Sequence, residues 1–330
     1  MMLHRRSGWV CDDRSIDTSK RTIAETHRRL PTLFSIHPAI VMGDCGADVE
    51  QPAAQLTSDR GVPSAEPDEE VSVLVTGFGP FKTNAVNASF LIASSLPSSL
   101  KISPPIGASS DGSVPASRRV SIHVHPTPIK VAYATVRKTI PAILKDYAKA
   151  HGGRQPDIII HIGIAATRNY YSVETHAHRD SYYVSDVNGK LAYEDGEKLW
   201  KELGLPEVLE PGPSTSGAKI TTSSTPTTSE PASLPPRATQ RQLNPYPPEN
   251  GFLGTWKSFI PSADLRISKD AGRYLCEFIF YTSLARAYLE GQDRNVLFLH
   301  VPSSYADEDI EYGKDVTVAL IKALVTRWIC

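Results

Sequence analysis

Three residues that lie far apart in the sequence have side chains that could act together as a nucleophile, a base and an orienting acid. Cys276 ends the run SKDAGRYLC, His300 ends the apolar run VLFLH, and Glu174 follows the apolar run DIIIHIGIA within YYSVETHAH. A thiolate attacks a carbonyl carbon, an imidazole accepts the thiol proton, and a carboxylate bonded to the imidazole fixes its tautomer. The residue types therefore favour nucleophilic catalysis by a Cys-His-Glu set.

Each of these residues also has an ordinary structural interpretation. A free cysteine is among the most buried residue types, a histidine at a strand end can bond to the backbone, and a glutamate in a polar strand is usually solvated. For Cys276 we expect a helix capped at Ser268 or Asp270, so that the thiol lies just beyond the first turn and gains only part of the helix-dipole effect. Catalysis requires the three chain segments to converge.

The segment TGFGPF (76–81) ends the first apolar run and carries two phenylalanines beside glycines. It completes neither of the common glycine-rich motifs that bind phosphate, so we predict no phosphate site there. Phe78 and Phe81 suit either the wall of an apolar pocket or a turn held by aromatic packing. Both interpretations stay open from this segment alone.

Two pairs of histidines could suggest a metal site. His176 and His178 stand near Asp180, and His123 alternates with His125 on an extended run. Neither pair has further ligands at a convincing spacing, so we predict no metal centre.

The elements that must position these residues follow an alternating pattern. Apolar, β-branched runs alternate with helical periods, which predicts an α/β layered sheet with helices on both faces. The predicted strands cover 71–77, 119–125, 157–165, 170–177, 263–268 and 295–301, and the predicted helices cover about 87–96, 131–150, 195–203, 271–290 and 308–328.

Composition divides the chain into ordered and disordered parts. Residues 1–70 show no sustained period and include a Pro/Ser/Glu-biased stretch, so we expect a disordered N-terminal extension. Residues 71–330 are expected to form one α/β domain, interrupted by a flexible loop at 97–118 and a Pro/Ser/Thr-rich insertion at about 205–250. Ten of the 26 prolines fall in that insertion, which is unsuited to a packed core.

Charge and cysteine content exclude several classes of protein. The chain carries 35 Lys+Arg and 36 Asp+Glu, a balance that excludes a broadly basic nucleic-acid binder. We expect no membrane span and no secretory signal, because no apolar run is long enough. The four cysteines form no metal or disulfide framework, which favours a reducing, cytosolic location.

Taken together, the motifs resemble, in order along the chain, the type I pyroglutamyl peptidases, or pyrrolidone-carboxylate peptidases. The resemblance rests on TGFGPF with VNAS (86–89), HIGIA with SVE (172–174), SKDAGRYLC with YTSL (281–284), and FLHVP (298–302). It covers most of 71–190 and 255–328.

The resemblance implies a three-layer α/β/α sandwich around a twisted, mostly parallel or mixed sheet. It also implies a cofactor-free, cytosolic cysteine peptidase (an omega-peptidase) that removes N-terminal pyroglutamate from peptides through a thioester. The family's nucleophile, histidine and carboxylate fall on Cys276, His300 and Glu174. Its apolar substrate pocket falls on Phe78, Phe81, Tyr274 and Leu275.

Two departures from the family pattern motivate an alternative. Thr175 follows the glutamate where the family usually has a basic residue, and Glu277 follows the cysteine where Asn or Asp is usual. A negative charge pointing at the sulfur would oppose thiolate formation. The alternative is a catalytically weak or inactive homologue that acts as a binding protein. An enzyme of different chemistry on a similar sandwich, such as a nucleoside phosphorylase, leaves the Cys-His-Glu set unexplained.

Overall fold

The structure is a computed structural model that describes residues 70–81, 84–102, 117–214 and 251–329. Most of the expected N-terminal extension, and of the Pro/Ser/Thr-rich insertion, lies outside the described residues.

A seven-stranded sheet organises the domain. Its strands are β1 (Val71–Gly77), β2 (Ser99–Ile102), β3 (Arg118–Val124), β4 (Ile158–Ile164), β5 (Tyr171–Glu174), β8 (Leu265–Ser268) and β9 (Val296–Val301); β6 (Ala177–His178) and β7 (Val208–Leu209) form a separate ribbon. The strand order in the sheet is β2-β3-β1-β4-β9-β5-β8. The four strands β3, β1, β4 and β9 run parallel, β5 is antiparallel to β9 and parallel to β8, and β2 is antiparallel to β3.

Helices cover both faces of the sheet, which confirms the predicted three-layer α/β fold. The helices are α1 (Ala88–Ser94), α2 (Tyr133–Ala150), α3 (Lys198–Glu202, after a π-helical turn at Tyr193–Glu197), α4 (Gly251–Phe259), α5 (Leu275–Leu289) and α6 (Asp307–Ile329). One apolar core includes residues of α1, α4 and α6, and a second includes residues of α2, α3 and α5. Because both faces are covered, the central strands β1 and β9 are buried along their whole length.

Two predictions about irregular regions were wrong in part. Strand β2 lies inside the stretch expected to be a loop at 97–118, where it pairs with β3 at the sheet edge. Strand β7 lies inside the expected insertion, and α4 follows that insertion as a helix that the sequence did not predict. Helix α4 is fixed by Trp256, which is buried and donates its indole N–H to the Val316 carbonyl at 3.2 Å.

Every helix in the described part of the chain is too short or too polar to cross a membrane.

Candidate active site

The sheet brings His300 and Glu174 together on neighbouring antiparallel strands. His300 lies opposite Ser172 in the register of β9 and β5, two residues from Glu174. Its Nδ1 lies 2.7 Å from Glu174 Oε1, and both side chains are buried. A carboxylate at Nδ1 favours the tautomer with the proton on that nitrogen, which leaves Nε2 able to accept a proton.

The pKa of Glu174 lies below its ordinary value despite the burial of its side chain. Burial alone raises the pKa of this carboxyl, but the hydrogen bond and charge of His300, with bonds from Ser268 and Arg168, bring the pKa below its ordinary value. Glu174 can therefore stabilise an imidazolium on His300.

Cys276 is the second residue of α5, and the expected start of this helix near Asp270 was wrong. Gly272 adopts a positive φ of 76° and its N–H donates to Asp270 Oδ1 at 3.0 Å, which folds the chain into a turn before the helix. Helix α5 then begins at Leu275, with Tyr274 as its N-cap residue. The thiol consequently lies in the first turn, where the positive end of the helix dipole favours a thiolate.

Because Gly163 has no side chain, the thiol of Cys276 can pack directly against it. A Cβ placed on Gly163 would lie 2.9 Å from Cys276 Sγ and 2.6 Å from Phe298 Cζ. Gly163 is the direct partner of His300 in the parallel pair β4–β9, so a side chain there would point to the same face of the sheet as the imidazole. The sulfur therefore packs on the sheet face that carries His300.

The pKa of the Cys276 thiol lies well above its ordinary value. Burial raises its pKa to about 12, the charge of Glu174 and, less strongly, that of Glu277 also raise it, and the charge of Arg168 lowers it. Formation of a thiolate near neutral pH therefore requires a group that accepts the proton at the site, and His300 is the base on that face of the sheet.

Glu277 is buried and takes part in an ionic cluster with Arg273 and His178. Its carboxylate accepts bonds from Arg273 Nη1 at 2.9 and 3.0 Å, and it lies 2.6 Å from His178 Nδ1. Burial raises the pKa of Glu277 to about 8, against the charge of Arg273, which lowers it. The side chain joins α5 to β6, so this departure from the family pattern has a structural role.

The four residues expected to bind substrate fall into two groups. Phe81 and Tyr274 are partly exposed, and their rings pack with centroids 5.2 Å apart. Phe78 and Leu275 are 3% and 1% exposed and belong to the apolar core, so they offer a substrate mainly their backbone groups. The accessible apolar surface of the expected pocket is the Phe81–Tyr274 pair.

Arg168 is a site residue that the sequence analysis missed. Its Nη1 donates to Glu174 Oε1 at 2.7 Å and to Ser172 Oγ at 2.8 Å. It brings a cation to Glu174 from the β4–β5 loop, whereas the neighbouring Thr175 is uncharged. The sequence carried one signal, a lone arginine six residues before the glutamate, but no motif marked it.

The histidines that could suggest a metal site have other partners. His176 Nε2 lies 3.0 Å from Glu210, His178 pairs with Glu277, and Asp180 accepts bonds from Arg179. Among the residues that the structure describes, no group of three or more His, Cys, Asp or Glu side chains is arranged to hold a metal ion.

Comparison with known proteins finds distant relatives of this chain. The chain is 26% identical to rat pyroglutamyl-peptidase 1 over 237 residues, which covers 70% of this chain and 78% of the rat protein. It is 28% identical to pyrrolidone-carboxylate peptidase of Pyrococcus furiosus over 240 residues, covering 73% and 84%. No family model matches the chain.

Solved structures similar to this one include a mutant pyrrolidone carboxyl peptidase from Pyrococcus furiosus. The TM-score is 0.48 at 19% identity, with 78% of this chain and 99% of that chain covered. Pyroglutamyl peptidase I from Bacillus amyloliquefaciens has a TM-score of 0.46 at 21% identity, with 79% and 96% covered. By sequence, over about 70% of its length, this chain is a distant homologue of the pyroglutamyl peptidase I family.

Proposed function

We propose that this chain is a cysteine peptidase that hydrolyses the bond after an N-terminal pyroglutamyl residue of peptides. The single observation that carries the proposal is the 2.7 Å contact between His300 Nδ1 and Glu174 Oε1, on the sheet face where Cys276 packs against Gly163. The distant homology supplies the substrate class, and the side chains supply the chemistry.

In the proposed reaction, the thiol proton of Cys276 passes to His300 Nε2 and the thiolate attacks the pyroglutamyl carbonyl carbon. When the tetrahedral intermediate collapses, the C–N bond breaks and the imidazolium gives its proton to the leaving amine. Water, deprotonated by His300, then attacks the thioester, which releases pyroglutamate and returns the proton to the thiol. Backbone N–H groups in the first turn of α5 have no partner within the helix and suit the developing oxyanion.

The pocket chemistry fits a neutral, cyclic residue. Pyroglutamate is a lactam without an ammonium group, so its recognition requires apolar walls and a few polar groups for the lactam N–H and C=O. The rings of Phe81 and Tyr274 supply the walls, and the backbone beside Leu275 supplies polar groups. A free thiol nucleophile works under reducing conditions, which favours the cytosol as the place of action.

A second function, binding without efficient hydrolysis, is favoured by the high pKa of Cys276. Burial holds that pKa at about 12, and a site that never transfers the thiol proton to His300 would bind pyroglutamyl peptides without cleaving them.

The test compares three amides that carry the same fluorescent leaving group. We expect release from the pyroglutamyl amide and far less from the prolyl and free-glutamyl amides, and we expect iodoacetamide to abolish release. Equal rates on all three amides would contradict the substrate assignment. Tight binding of the pyroglutamyl amide without release would favour the second function.

A further inference from the structure

The guanidinium of Arg168 connects two segments of the candidate site. Two of its bonds go to β5, at Glu174 Oε1 and Ser172 Oγ. A third runs from Nη2 to the carbonyl oxygen of Asp270 at 3.1 Å. Asp270 begins the turn that leads into α5 and Cys276, so one side chain holds the strand of the carboxylate against the loop of the nucleophile.

Arg168 and His300 share one oxygen atom. Glu174 Oε1 lies 2.7 Å from Arg168 Nη1 and 2.7 Å from His300 Nδ1, and Ser172 Oγ also donates to it at 3.2 Å. Because Arg168 is always charged, it neutralises part of the negative charge that Glu174 presents to the imidazole and the thiol. A cation at this position stabilises the thiolate of Cys276.

Burial makes this charge effective at the sulfur. The Glu174 side chain is 0% exposed and that of Arg168 is 22% exposed, so water screens their interaction only partly. Among the groups around Cys276, Glu174 and Glu277 raise the thiol pKa and Arg168 lowers it. The elements packed around the thiol carry these titratable and charged groups: Glu174 on β5, His300 on β9, Tyr274 and Glu277 at the start of α5, and Arg168 in the β4–β5 loop.

We infer that Arg168 is a positioning residue whose charge sets the pH range in which Cys276 and His300 form the reactive ion pair, and whose bond to Asp270 fixes the approach of α5. The inference rests on the proposed function for its effect on hydrolysis. Its effect on thiol reactivity does not depend on which substrate the site takes.

The experiment follows two quantities against pH in the full-length protein. One is the rate of alkylation of Cys276 by iodoacetamide, read by mass spectrometry of the peptide that contains it, and the other is kcat/KM for the pyroglutamyl amide. In Arg168→Gln the loss of a positive charge favours protonation, so we expect both pH profiles to shift toward higher pH by about one unit. That shift lowers the alkylation rate near neutral pH by about tenfold.

Arg168→Lys separates charge from geometry. It keeps the charge but not the forked contact with Glu174 and Asp270, so we expect the wild-type pH profiles with a lower kcat. The matched control is Arg266→Gln. Arg266 lies opposite Ser172 in the β5–β8 register but is exposed and pairs with Asp264, so we expect unchanged profiles.

The outcomes distinguish this inference from the proposed function. A drop in rate in both Arg168 variants without a shift of either profile would overturn the inference. A shifted alkylation profile in a protein whose wild type does not hydrolyse the pyroglutamyl amide would support the inference and overturn the proposed function. If Arg168→Gln fails to fold, as judged by thermal unfolding, Arg168→Met serves as the neutral variant with the same expected shift.

Discussion

His300 Nδ1 and Glu174 Oε1 are 2.7 Å apart on adjacent strands that run in opposite directions, and both residues are buried. Strand β5 runs antiparallel to β9, and this pairing places the carboxylate beside the imidazole. Glu174 is therefore positioned by the sheet register rather than by a flexible loop. We expect a substitution that replaces one carboxylate oxygen of Glu174 to disrupt its contact with His300.

Glu174→Gln tests the contact. A side-chain amide can donate to Nδ1, which would leave the proton on Nε2 and remove the base, so we expect kcat for the pyroglutamyl amide to fall by at least about 100-fold. The measurement is steady-state kinetics of the variant. Glu290→Gln, at an exposed carboxylate paired with Arg286, is the control and should keep wild-type kcat. An unchanged kcat in Glu174→Gln would exclude a role for the carboxylate.

Gly163→Ala tests the packing of the thiol. The added methyl group would lie 2.9 Å from Cys276 Sγ and 2.6 Å from Phe298, closer than real contacts allow. We expect a loss of about 1–3 kcal/mol in unfolding free energy and a large loss of activity. Urea unfolding measures the first and amide hydrolysis the second. Gly254→Ala in α4, where an added methyl group meets no atom within 4 Å, should leave activity unchanged; a fully active Gly163→Ala would show that the thiol is elsewhere.

Phe81→Ala tests the apolar wall of the pocket. Loss of the ring that packs on Tyr274 removes apolar contact with the lactam, so we expect KM for the pyroglutamyl amide to rise by about tenfold with a smaller change in kcat. Phe259→Ala, at an exposed phenylalanine of α4, is the control. An unchanged KM in Phe81→Ala would place the substrate pocket away from this ring.

The buried ring of His161 is expected to make the free energy of unfolding depend on pH, independently of catalysis. The ring is buried between Thr76 Oγ1, 2.7 Å from Nδ1, and Ser283 Oγ, 2.8 Å from Nε2, and burial lowers its pKa to about 3. Since the pKa in the folded state lies below the unfolded value of about 6.5, the stabilising effect is complete above pH 6.5 and is lost as pH falls toward 3.

The expected loss is about 1.4 kcal/mol of unfolding free energy per pH unit below 6.5. Urea unfolding at pH 7.5, 6 and 5 measures it, and His161→Asn should flatten the dependence. His125→Asn, at a less deeply buried histidine, should leave most of it in place. An equally steep dependence in His161→Asn would show that other groups cause the loss.

The alternation of strands and helices predicted the layered fold, because long apolar runs such as β4 and β9 can only be buried between two helical layers. The β2 strand was missed because its alternation, with Leu100 and Ile102 turned inward, lasts only four residues, and its pairing with β3 is not visible in the local sequence. The start of α5 was misplaced because the turn at Gly272 depends on a positive φ that the sequence pattern does not specify.

Some residues of the candidate site could likewise not be predicted from the local sequence pattern. Cys276, His300 and Glu174 were identifiable because each lies in one of the short sequence motifs on which the family resemblance rests. Arg168 was not, because no motif marks its contact with Glu174 and its bond to Asp270 joins residues 102 positions apart in the sequence. The partners of Glu277 were equally hidden, since Arg273 and His178 meet its carboxylate only in the folded chain.

The most direct test of the account is hydrolysis of the pyroglutamyl amide by Cys276→Ala beside the wild type, with thermal unfolding to show that the variant is folded. We predict that the wild type releases the leaving group and that the folded variant releases none above background. Hydrolysis by Cys276→Ala at the wild-type rate would contradict the claim that this sulfur is the nucleophile.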